Sequence, residues 1–153
     1  MELSEIRQYM SLALAEAGKC QTDVPVGAII IKDGAVIGCG HNQREELQDP
    51  LAHAEMLAIR QAAAALKSWR LSGCILVSTL EPCPMCAEAS IQSRMQTVIF
   101  GAYDVISGAA GSRFNLYSKR QSLPTPELIT GILEEDCAAI LKQFFARRRQ
   151  KQD

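Results

Sequence analysis

Apolar side chains recur at Ile6, Met10, Ala13, Leu14 and Ala17, a three-and-four spacing that lays one stripe along a helix. A first helix is therefore expected from about Ser4 to Ala17, with Gly18 able to stop it. The period then changes. Val26 to Lys32 and Ala35 to Cys39 are short apolar runs on either side of Asp33-Gly34, the kind of dipeptide that tolerates the positive φ of a two-residue hairpin turn. An Ala-rich stretch from Ala52 to Leu66 follows, and Asp49-Pro50 before it fits a helix start. Asp49 is the expected N-cap and Pro50 lies near the first helical position, which places His53 and Glu55 in the opening turn. Ile75 to Thr79 and Val98 to Gly101 are apolar runs flanking a helix that begins near Pro82, so strand, helix and strand predict a parallel crossover there. A last helix, about Thr130 to Arg149, carries Leu133, Cys137, Ile140, Leu141, Phe144 and Phe145 on one broad face. Hairpin, crossover and three long helices together predict a three-layer α/β/α architecture with a central mixed sheet flanked by helices.

Composition keeps this picture simple. At 153 residues, 48% hydrophobic and 22% charged, the chain is expected to form a single domain over residues 1-153. No apolar run approaches a membrane span, and Met1-Glu2-Leu3-Ser4-Glu5 lacks the basic-then-apolar layout of a signal peptide, so no membrane partner and a cytoplasmic location are expected. Cys20, Cys39, Cys74 and Cys137 are scattered among apolar neighbours, which suits small core residues in a reducing compartment. A net charge of −1 gives no global pull toward nucleic acid, so a polyanion has to be met by a local patch. Arg147, Arg148, Arg149 and Lys151 crowd the C-terminus after Phe144-Phe145, and Arg113, Lys119 and Arg120 form a looser group. Such a run fits either a phosphate contact or a solvated helix end whose cations suit the negative pole of the dipole.

The chemistry is concentrated in His53-Ala54-Glu55 and Pro82-Cys83-Pro84-Met85-Cys86. Cys83 and Cys86, three apart at a helix start, lie on one face of its first turn, where the dipole favours thiolate. With His53 they make three soft ligands of the kind zinc selects, one short of a closed structural site. The fourth position is then open to water, and Glu55 is the spare carboxylate able to move its protons. A structural zinc site and a redox dithiol each account for the cysteines but leave Glu55 without a role.

H-x-E with P-C-x-x-C is the signature of zinc nucleobase deaminases. Over nearly its whole length the chain resembles the bacterial tRNA-specific adenosine deaminases of the cytidine deaminase-like superfamily. Besides the zinc motifs the likeness covers Val24-Pro25-Val26-Gly27-Ala28, Asn42, Asp49 to Glu55, Thr79 to Cys83, Ser93-Arg94, Phe100-Gly101-Ala102, Gly108 to Ser112 and Thr130 to Leu133. The resemblance implies a cytidine deaminase-like fold and a homodimer that converts adenosine to inosine at the wobble position of a tRNA anticodon stem-loop. It implies one Zn2+ per chain on His53, Cys83 and Cys86, with Glu55 as the catalytic proton shuttle. Asn42 would contact the flipped nucleotide, Val26 and Leu80 would wall the pocket, Ala54 would offer backbone hydrogen bonds to the base, and Asp104 would lie near the ribose. Candidate tRNA contacts are Arg94, Arg113, Phe145, Arg147, Arg148 and Arg149. The chain departs from the family pattern at Gln92, Tyr103 and Arg113-Phe114 and shares Pro84 with free-base deaminases. Two alternatives stay open at this point: a deaminase of a free nucleobase or nucleoside of guanine or cytosine type, and a non-catalytic zinc-stabilised domain that binds RNA or protein.

Overall fold

The computed structural model describes residues 1–118 and 122–152. Helix α1 (Leu3–Ala17) leads into a hairpin of β1 (Gly27–Lys32) and β2 (Ala35–His41), turned by Asp33 and Gly34, both at positive φ. A short α2 (Arg44–Leu47) and the helix α3 (Ala54–Leu66) precede β3 (Ile75–Leu80), α4 (Pro84–Gln92) and β4 (Thr97–Ala102). The chain closes with β5 (Glu127–Ile129) and α5 (Glu134–Gln152). The sheet order is β2-β1-β3-β4-β5, antiparallel at β2/β1 and β1/β3 and parallel at β3/β4 and β4/β5. This is the expected mixed sheet with its parallel crossover.

Both faces of the sheet are covered, which is why β1 is a continuous apolar run and not an alternating one. Ile29, Ile31, Val77 and Ile99 point toward α1 and α5, packing with Ile6, Met10, Ala13 and Cys137. Ala28, Ile30, Leu76 and Val98 point the other way, against Ala54, Ala58 and Ala62 of α3 and Ala87 and Ile91 of α4. The Ile, Leu, Val and Met side chains among them each contribute roughly 1.5–3 kcal/mol when fully buried. The alanines of α3 serve a close approach: a Cβ on Gly40 of β2 would stand 2.5 Å from the Ala54 carbonyl oxygen. Helix α3 therefore rides on the β2 backbone, and that contact sets the height of its first turn above the sheet.

Two helix starts differ from the sequence expectation, and two short elements were not expected. Helix α3 begins at Ala54 with His53 as its N-cap residue, because the Asp49 carboxylate instead accepts the Leu51 N–H (2.9 Å) and closes a turn of its own. Helix α5 begins at Glu134, not Thr130, since Gly131 (φ 75) and Leu133 (φ 50) break helical geometry just before it. Glu134, Glu135 and Asp136 then fill its first turn, where carboxylates suit the dipole. The three residues of β5 and the four of α2 are too short to show a period in sequence.

Candidate metal centre and active-site pocket

The crossover rule puts a ligand site beyond the carboxyl ends of parallel strands, and the chain follows it. From the end of β3 it runs through Glu81 and Pro82 to Cys83, the N-cap residue of α4, with Pro84 at the first helical position and Cys86 in the first turn. His53 holds the matching place at the head of α3. The His53 Nδ1 stands 3.6 Å from the Cys83 Sγ and 3.5 Å from the Cys86 Sγ. All three ligand atoms lie within 4.8 Å of one another. A nitrogen and a sulfur held tetrahedrally on one zinc ion, at the usual bond lengths, are about 3.6 Å apart, so the residues present fit the metal without rearrangement.

The protonation of the cluster agrees with a cation site. A hydrogen bond from the Cys86 thiol, with help from His53, holds the Cys83 thiol down to about 4 against the opposing effect of burial. Cys86, as the donor beside that thiolate, is raised. The Cys83 sulfur raises His53 against the effect of its burial. One thiolate is thus already favoured, and a dication displaces the proton that the pair retains.

Glu55, in the first turn of α3 and 4% exposed, faces the same cavity of about 210 Å³. Burial pushes its carboxyl up to about 7, with the Cys83 charge adding to the effect and His53 and the Cys86 thiol opposing it. A carboxyl poised there takes and returns a proton at neutral pH. Val26, Asn42, Ala54, Leu80 and Asp104 line this cavity with it. The Asn42 side chain is anchored, donating to the Val24 carbonyl oxygen (3.1 Å) and accepting the Arg44 N–H (3.2 Å), yet an amide keeps a second proton and a second lone pair. Ala54 opens α3, where backbone N–H groups lack helical partners. The Asp104 carboxylate turns back on its own loop, accepting the N–H groups of Ile106 and Ser107 and the Ser107 hydroxyl. Val24, Arg44, Glu81 and Ser107 also line the cavity and were not anticipated.

The candidate RNA-contacting residues divide. Arg147 and Arg148, with Phe144 and Lys151, line a second cavity of about 490 Å³ against Cys20 to Thr22, while Arg149 and Phe145 are exposed on α5. Arg113 is exposed above the Phe114 ring. Arg94 follows the C-terminal end of α4, beside the exposed Trp69 ring and at the far end of that helix from Cys83. Lys119 and Arg120 lie outside the described residues.

Residues 3–102 match the family model of the cytidine and deoxycytidylate deaminase zinc-binding region. The tRNA-specific adenosine deaminase of Bacillus subtilis (strain 168) is 44% identical over 145 residues, covering 94% of this chain and 90% of that protein. A solved structure from a study of A-to-I editing by tRNA:A34 deaminases superposes with a TM-score of 0.84 at 40% identity, over 88% of this chain and 99% of the other. A guanine deaminase from Nitrosomonas europaea, 23% identical, superposes with a TM-score of 0.76 over 95% of this chain and 85% of its own, and shares the fold.

Proposed function

The chain belongs to the zinc-binding cytidine and deoxycytidylate deaminase family and, within it, to the tRNA-specific adenosine deaminases, and from that premise we propose that it deaminates adenosine to inosine at the wobble position of a tRNA anticodon stem-loop. The observation that carries the mechanism is a three-ligand cluster with a fourth group, the buried Glu55 carboxyl, in the same cavity. Zinc held by His53, Cys83 and Cys86 supplies Lewis acidity that brings water chemistry to neutral pH. Glu55 takes a proton from the attacking water and delivers it to the ring nitrogen beside C6. Once the water oxygen has bonded to C6, Glu55 takes the remaining proton of that new hydroxyl and hands it to the amino nitrogen, which leaves as ammonia as the C6–N bond breaks and the C6 carbonyl forms. Val26 and Leu80 wall the ring, and the spare hydrogen-bonding capacity of Asn42 and the Ala54 N–H meet the nucleoside edges.

A base in an anticodon loop is cheaper to expose than one in a duplex, and loop RNA is gripped through splayed bases and 2′-hydroxyls, so a near-neutral protein suffices. The test of this reading is turnover. A stem-loop with adenosine at the wobble position is expected to react far faster than free adenosine, with negligible ammonia from guanine, cytosine or cytidine. Rapid turnover of guanine beside an inert stem-loop would instead favour a free-base enzyme.

The same proposal includes a homodimer, which sedimentation at twice the chain mass checks, and a cytoplasmic location, supported by six free cysteines. No helix among the described residues is long and apolar enough to cross a membrane. It also places phosphates on Arg147, Arg148 and Arg149, supported by the cavity that the first two line. Changing all three to Ala is expected to flatten the log-log salt dependence of tRNA binding by about 0.7 to 0.9 unit per lost contact. An unaltered slope assigns the cluster to a solvated helix end.

A further inference from the structure

The carboxylate of Glu81 is 1% exposed and takes no part in the chemistry above. It sits between the last residue of β3 and the Pro82-Cys83 ligand loop, and its own N–H is bound to the Ala102 carbonyl oxygen at the end of β4 (2.8 Å). Both of its oxygens are fully used. Oε1 accepts the Asp104 N–H (3.1 Å) and the Ser112 hydroxyl, and Oε2 accepts the N–H groups of Ala110 (3.0 Å) and Ser112 (3.1 Å). Four donors spread over nine residues of one loop thus converge on one buried anion. Gly108 makes room for it, since a Cβ there would run into the Glu81 carboxyl group. The loop gathered in this way contributes Asp104 and Ser107 to the cavity that holds Glu55. Between them in the chain stand Val105 and Ile106, 75% and 82% exposed.

We propose that Glu81 is a positioning residue that fixes the outer wall of the pocket, holding loop 104–112 against the Cys83 ligand loop so that RNA meets a preformed wall. The inference rests on the reading of this cavity as an adenosine site within RNA. A carboxylate suits the task because bonds from neutral donors to an ionised acceptor are the stronger kind, and four of them offset the cost of burying the charge. An amide replaces it poorly, for in either orientation the Gln nitrogen would face at least one backbone N–H donor in place of an acceptor. Binding energy from remote contacts is realised only when the groups that make it are held in place, so loosening this wall weakens substrate capture. The metal ligands and Glu55 stand on the α3 and α4 helix heads and are not carried by this loop.

The test uses the full chain with zinc and a stem-loop bearing adenosine at the wobble position. Glu81→Gln is expected to keep one zinc per chain and a kcat within about threefold of wild type while KM rises tenfold or more, the split that marks lost binding and not lost chemistry. An unchanged KM, or loss of zinc together with activity, overturns the proposal. Should that variant fail to fold, the exposed Ser112 decides the matter, because Ser112→Ala removes only one of the four donors and Ser112→Thr restores it. KM is then expected to rise about threefold to tenfold in the Ala variant and to return within about twofold of wild type in the Thr variant. A wild-type KM for Ser112→Ala, or a Thr variant as impaired as the Ala variant, overturns it. Failure of the underlying reading looks different, since the wild-type protein itself is then inert on the stem-loop and the proposal falls with it.

Discussion

Glu55→Gln is expected to lower inosine formation by about 10² to 10⁴ while the protein remains folded and zinc-loaded, because proton transfer by a positioned group is worth about that much. Glutamine matches the carboxyl in shape and fills the same buried place in the first turn of α3 but cannot shuttle a proton. Stability moves the other way in chelator-stripped protein. Burial raises the folded-state pKa of Glu55 from 4.5 to about 7, so the folded chain binds this proton more tightly than the unfolded chain. Its contribution is therefore fully favourable below 4.5 and is lost as the pH rises through 7. Glutamine carries no charge to desolvate, so the stripped variant is expected to melt at or above the wild-type temperature at pH 8. Single-turnover kinetics with metal analysis and a melting curve check both halves. A variant within about tenfold of wild-type rate would remove Glu55 from the mechanism.

Cys83→Ala has a different signature, loss of metal and activity together. Cys83 is the thiolate of the cluster, held down to about 4 by the Cys86 thiol and His53. Its removal leaves two ligands at a centre that requires three and exposes Cys86 and His53 to each other without their shared anion. Metal affinity and folding are linked, since a ligand present at a hundred times its Kd stabilises the fold by about 2.7 kcal/mol. The variant is expected to purify with less than about a tenth of a zinc per chain and to show no rise in melting temperature when zinc is added, whereas stripped wild type does. A full complement of zinc in Cys83→Ala would mean that the ligands lie elsewhere. Glu55→Gln keeps metal and loses rate, and Cys83→Ala loses both, so the pair separates proton transfer from metal retention.

The metal cluster was legible in the sequence because its parts are local. Cys83 and Cys86 share one helical turn, and His53 and Glu55 are two residues apart, so spacing alone places each pair at a helix head. The meeting of the two heads is tertiary, and only the paired motif pointed to it. Asn42 and Asp104 came from resemblance, and the structure adds what resemblance lacked, that both side chains are anchored to backbone groups, Asn42 to Val24 across the chain and to Arg44 nearby, Asp104 to its own loop. Glu81 shows what stayed hidden. It lies inside a segment that the sequence already singled out, but its four donors are 23 to 31 residues away, and nothing in residue spacing announces such a convergence. Helix α3 started later than expected for a related reason: Asp49 had two competing uses, cap and turn, with similar local chemistry. The start of α5 and the existence of β5 were set by two positive-φ residues and by pairing to β4 across the sheet.

Zinc-dependent deamination aimed at one particular adenosine in RNA is tested by mapping inosine in bulk tRNA incubated with the purified protein. The expected result is inosine at the wobble position of anticodons that carry adenosine there, absent elsewhere in the same molecules and absent with Glu55→Gln. Unmodified wobble adenosine after incubation with zinc-loaded wild-type protein, or inosine scattered through stems and loops alike, would contradict the account.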